Sequence, residues 1–165
     1  MSSTLYVDKV AEKTSAAGVY IPGHVIQVVH TDYTTYTSTT STSSVLMFAA
    51  GAITPKSTTS KILVEIKLNG MYIAGGTAKY FHINIYRGAT SIKLCTTTAG
   101  YLSAGDEPSY GVYTNSYSVL DSPSTTSAIT YGVYWKVSSG TGTINNYNAG
   151  NTSSNSSITV MEIAQ

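Results

Sequence analysis

Apolar residues recur at every second position along several short stretches of this chain, and that period leaves little but β-structure open to it. Ile129, Tyr131, Val133, Trp135 and Val137 alternate with smaller or polar neighbours. Ile62, Val64, Ile66 and Leu68 do the same against Leu63, Glu65 and Lys67, as do Phe81, Ile83 and Ile85 against Tyr80, His82, Asn84 and Tyr86. Successive side chains of a strand point to opposite faces, so each set describes a strand with one face in a core. No stretch sustains the i, i+3, i+4, i+7 spacing of an amphipathic helix.

Turn signals cut the chain between these runs. Expected strands cover residues 24–30, 32–39, 44–53, 61–68, 80–87, 91–96, 110–120, 128–137, 140–146 and 157–163, some of them short or irregular. Pro22-Gly23, Pro55, Asn69-Gly70, Gly88-Ala89 and Asp121-Ser122-Pro123 are the breaks. Asn69-Gly70 is the strongest short hairpin signal of these. Residues 45–53 are apolar without clean alternation, as expected of a strand covered on both sides. Whether residues 38–43 are ordered is open at this level. About nine strands with turns at short intervals predict an antiparallel β-sandwich of jelly-roll type. The 165 residues suit one such domain, over 21–165, preceded by a polar extended arm over 1–20. Leu5, Tyr6 and Val7 are the apolar piece of that arm and its candidate attachment point.

Composition narrows the function classes. Charged residues make up 10% of the chain and the net charge is +1, where an average domain carries about 25% charged residues. This points away from nucleic acid and from anionic membranes. No run is apolar enough for a membrane helix, and residues 1–10 do not form a secretory signal. Ser, Thr and Tyr stand where charges usually do. They suit a neutral surface that tolerates varied ionic strength, and they equally reflect β propensity alone.

Catalytic signatures are missing from the sequence. His24, His30 and His82 lack metal-ligand spacing, and no cofactor motif occurs. The eight acids are scattered, and only Asp106 and Glu107 are adjacent, in a turn. A glycosidase needs two carboxylates across a cleft, and nothing singles out such a pair. Cys95 is the one cysteine, without a base placed beside it, and reads as an inert, partly buried thiol. The expectation is a protein that is not an enzyme and uses no cofactor or metal.

Binding is the remaining option. Trp135 falls on an apolar strand face and reads as core. The exposed aromatic candidates are Tyr80, Tyr86, Tyr110, Tyr113 and Tyr117, which serve equally as glycan contacts or as an interface between subunits. Strands with Tyr and apolar residues on both faces leave sheet surface to hide, and a ring of identical subunits hides it. A symmetric homo-oligomer is expected, a trimer first.

Four stretches resemble small virion proteins and fibre-end domains of tailed phages, marine ones in particular. They are Ser3-Thr4-Leu5-Tyr6-Val7-Asp8, residues 22–29 (Pro-Gly-His-Val-Ile-Gln-Val-Val), Leu120-Asp121-Ser122-Pro123, and residues 157–164 (Ser-Ile-Thr-Val-Met-Glu-Ile-Ala). The resemblance implies a trimeric β-sandwich displayed on a virion, made in the cytoplasm of a bacterial host. It assigns no functional residues, and such domains sit on capsids, necks and fibres alike. Taken as a whole chain with a short arm and no shaft, the sequence leads first to a capsid decoration or cement protein, with the major capsid protein as partner. A tail-fibre, head-fibre or neck domain whose tip recognises a host surface glycan is the second expectation. A glycan-cleaving enzyme is the third.

Overall fold

The alternating stretches become strands because each has one face to bury, and the register between them shows how the chain is rolled. A computed structural model describes residues 11, 21–75, 80–97, 113–145 and 154–165, apart from the side chains of 96, 97 and 113. The expected arm, with Leu5, Tyr6 and Val7, lies outside the described residues, as does Tyr110.

Among the described residues there are ten strands: β1 (Val25–Tyr33), β2 (Thr37–Thr39), β3 (Val45–Ala49), β4 (Lys61–Ala74), β5 (Phe81–Arg87), β6 (Thr90–Thr97), β7 (Tyr113–Asp121), β8 (Tyr131–Val137), β9 (Thr141–Ile144) and β10 (Ser156–Ile163). One sheet runs β1-β10-β4-β7, continued at one end by β2-β9 and the second half of β4; the other runs β3-β8-β5-β6. Every pairing is antiparallel.

The pairs are nested. β5 pairs β6, β4 pairs β7, β3 pairs β8, and β1 and β2 pair β10 and β9. The chain is therefore one long antiparallel hairpin, folded at Gly88-Ala89 and rolled into two sheets, which is the jelly-roll arrangement. Arg87 pairs Thr90 across a two-residue loop whose first residue, Gly88, has φ 54°. Glycine supplies that conformation without the Cβ clash another residue meets.

The core lies between the sheets. In β1-β10-β4-β7 the inward rows are Val29, Val160, Val64 and Val119, then Thr31, Ile158, Ile66 and Tyr117, aligned by register. The other sheet contributes Phe81, Ile83, Ile85, Tyr131, Val133, Trp135 and Val137, all essentially sealed from solvent. Phe81 and Trp135 stack at 6.1 Å, and Tyr33 of β1 stacks on Phe48 of β3 at 4.7 Å, joining the two sheets. At one end Asp121 of β7 accepts hydrogen bonds from Arg87 of β5 and Tyr131 of β8, each 2.7 Å.

Three expectations need correction. Asn69-Gly70 does not turn the chain. β4 runs straight through it with a bulge between Leu68 and Met71, and Gly70 has φ 62°. The same positive φ that suits a hairpin turn also suits a bulge. Residues 32–39 do not form one strand, because the chain leaves β1 after Tyr33 and re-enters the sheet as β2 at Thr37. The stretch 45–53 is not covered on both sides. β3 is an edge strand whose bulge between Leu46 and Phe48 puts Met47 and Phe48 both inward and leaves Val45 and Leu46 exposed. Beyond it Ile53 makes an isolated bridge to Ile129.

Candidate interaction faces

With the inward side chains in the core, the alternate residues of each sheet form its outer face. On β1-β10-β4-β7, register places Val28 beside Met161, Met161 beside Leu63, and Leu63 beside Leu120. This is a row of four apolar side chains crossing the sheet from edge to edge. Its ends, Val28 and Leu120, are 56% and 58% exposed. Val25, half exposed, and Ile163 widen the row at one corner, where they are also paired.

The next rows on this face are polar. His30, Thr159, Glu65 and Ser118 form one, and Asp32, Ser157, Lys67 and Ser116 the other. His30 Nδ1 lies 2.8 Å from Thr159 Oγ1 and its Nε2 3.2 Å from Asp32 Oδ1. A shallow depression of about 400 Å³ is lined by Glu65, Lys67, Ser116, Ser118, Ser157 and Thr159. Hydroxyls and one charge of each sign line it, with Ile66 and Tyr117 also contributing to its wall.

On the outer face of β3-β8-β5-β6 the corresponding row is Leu46, Tyr134, Asn84 and Leu94. Leu46 is 53% and Leu94 60% exposed. Tyr86 and Tyr134 meet at 4.3 Å with their rings tilted by 38°. Gly132 lies beneath, where a Cβ would come within 3.1 Å of both Leu46 Cδ1 and the Tyr134 ring. Ser91 donates to Asn84 Oδ1 at 2.9 Å. Burial and the Lys136 ammonium hold the His82 imidazole below its ordinary range, which favours the neutral ring.

The sequence-predicted tyrosines are thus dispersed. Tyr86 is on an outer face, in an aromatic pair. Tyr80 is half-buried just before β5, its backbone N–H bonded to Ser138 Oγ. Tyr117 is a correction: it is in register with the inward Ile66 and packs, partly buried, against the core. The alternation of Tyr117 and Val119 with Ser116 and Ser118 carries that signal in the sequence. Tyr113 pairs Met71 through its backbone in β7. Sequence reasoning missed Val28, Met161 and Leu120 as one feature, because only cross-strand register aligns them.

Other chemistry is absorbed in the fold. Glu162 is fully buried, with Oε1 accepting from Lys56 N at 2.7 Å and Oε2 from Gln27 Nε2 at 2.5 Å. Asp121 is held by Arg87 and Tyr131. Burial pushes the Cys95 thiol up, against a smaller opposite pull from Lys93, so the thiolate nucleophile is disfavoured. Among the described residues no group of three or more His, Cys, Asp or Glu side chains converges to hold a metal. The sequence matches no family model and no curated protein.

Proposed function

We propose that this chain is a structural subunit of a tailed-phage virion, a homotrimer that decorates and stabilises the capsid by bridging neighbouring copies of the major capsid protein. The observation that carries the reading is that both outer faces of the jelly roll bear apolar rows in register. Val28, Met161, Leu63 and Leu120 run unbroken across one, and on the other Leu46 and Tyr134 adjoin while Asn84 separates them from Leu94. Apolar side chains scattered singly on a surface need no explanation, whereas contiguous ones mark surfaces that meet a partner. A subunit wedged between copies of itself and a shell uses both faces. Jelly rolls serve viral capsids and lectins, an analogy of architecture that raises both readings.

The resemblance to phage proteins supports the same reading in a second way. Three of its four stretches build β1, the end of β7 and β10, and they supply Val28, Leu120 and Met161 to a single row. The test is a copy count on purified virions, by quantitative mass spectrometry against the major capsid protein. Hundreds of copies per particle are expected. A dozen or fewer overturn capsid decoration in favour of a fibre or neck position.

The Tyr86–Tyr134 pair favours a second reading, a fibre-tip domain that recognises host surface glycan, since aromatic rings with a polar neighbour such as Asn84 stack on sugars. Binding of the recombinant protein to host cells, lost in Tyr86→Ala, supports it. No binding by the wild type sinks it.

A further inference from the structure

The two outer faces differ in charge, and the difference assigns one of them. The outer face of β3-β8-β5-β6 carries the Lys136 ammonium and the neutral-favouring His82 ring but no Asp or Glu, whereas Arg87 and Lys93 pair with the inward Tyr131 and Ile85 and reach Asp121 and the Ser118 carbonyl of β7. That face has no carboxylate to set against the Lys136 of a second copy. The outer face of β1-β10-β4-β7 carries both signs in equal number: Asp32 and Glu65 against Lys61 and Lys67. Among the described residues Glu65 and Lys67 form no ion pair within the chain.

We propose that the outer face of β1-β10-β4-β7 is the surface by which copies of this chain associate, with Val28, Met161, Leu63 and Leu120 at its centre. This rests on the reading of the chain as a self-assembling subunit and names the face that reading needs. Strand spacing makes Glu65 and Lys67 neighbours on one side of β4, about 7 Å apart along the strand. Around a three-fold axis the Lys67 of each copy can meet the Glu65 of the next, a closed ring of opposite-charge pairs that the opposite sheet cannot form. The apolar row supplies the dehydrated centre and the mixed rows the polar rim, the usual anatomy of an interface. A nucleic acid or an anionic membrane has no net positive field here to recognise.

The test uses the full chain and light scattering coupled to size-exclusion chromatography over a range of concentrations. Four proteins are compared: wild type, Leu120→Glu, Val28→Glu and Leu94→Glu. The three substituted positions are exposed in the subunit, and circular dichroism confirms that each variant folds. The wild type runs as an oligomer of the 17.4 kDa chain. Leu120→Glu and Val28→Glu each weaken association on the order of 100-fold, because they place an unpaired carboxylate in the dehydrated centre. Leu94→Glu, on the other sheet, leaves it unchanged. As a rescue, Glu65→Lys weakens assembly and the added change Lys67→Glu restores it. A monomeric wild type overturns the proposal, and so does dissociation by Leu94→Glu while the other two variants stay assembled. The virion reading is tested separately. An oligomer built on this face but present in few copies per particle sinks decoration and leaves the face standing. A monomer present in hundreds of copies does the reverse.

Discussion

Ser156 donates a 2.7 Å hydrogen bond to Oδ1 of Asn145, across the excursion that separates β9 from β10. Asn145 Nδ2 in turn donates to the carbonyls of Tyr33 and Thr35 at 2.8 and 3.1 Å, where the chain passes from β1 to β2. Its backbone N–H bonds to Asn69 O, and Asn69 N–H bonds to Ser156 Oγ, at the β4 bulge. β1, β10 and β4 are interrupted at the same level, and Asn145 meets all three, with its buried side-chain amide at β1 and β10 and its backbone N–H at the β4 bulge.

Replacing Asn145 by Ala should therefore cost about 2–3 kcal/mol, because it strands buried partners as well as removing bonds. Urea unfolding is the check. A loss below about 0.5 kcal/mol contradicts the pinning role.

Tyr131 gives a pH prediction. Burial, with the Asp121 carboxylate beside its hydroxyl, holds its ionisation well above the usual tyrosine range in the folded chain. The unfolded chain releases that proton from about pH 10 upward. Stability from the Tyr131 hydroxyl is thus full below pH 10 and lost as pH rises beyond it. Tyr131→Phe should be less stable than wild type at pH 7, with the gap narrowing above pH 10. Unfolding midpoints from pH 7 to 11 read this directly, and a gap that stays constant contradicts it.

Cys95 should react with a thiol reagent only slowly in the native state and quickly in denaturant, since it is 5% exposed and its thiol is pushed up by burial. Equal rates in both conditions count against the placement of its side chain.

Removal of residues 1–20 should leave the sandwich folded, because among the described residues the two sheets and their core are built from residue 25 onward. If the proposed virion role holds, attachment to the particle should weaken. Loss of folding on truncation shows instead that the arm belongs to a sheet.

Much of this fold is legible in the sequence, for a physical reason. β4, β5 and β8 alternate cleanly because each has one face in the core, so burial writes itself into the period. Legibility fails at the bulges. The bulge between Leu46 and Phe48 makes two consecutive residues inward and imitates a strand buried on both faces. Asn69-Gly70 carries the signature of a hairpin and forms a bulge, since both need a positive φ at Gly70. The interaction faces are the least legible part. Leu63 is visible as the apolar exception on the polar side of β4, but Val28, Met161 and Leu120 are far apart in the chain and become one row only through pairing. Tyr117 misleads because tyrosine suits both an interface and a core margin.

The claim that ties these observations together is that the chain is made to meet copies of itself. The mass of the full-length protein in native mass spectrometry tests it most directly. The account predicts a particle of three chains, three times 17.4 kDa, that persists at micromolar concentration. A single chain of 17.4 kDa at every concentration contradicts it.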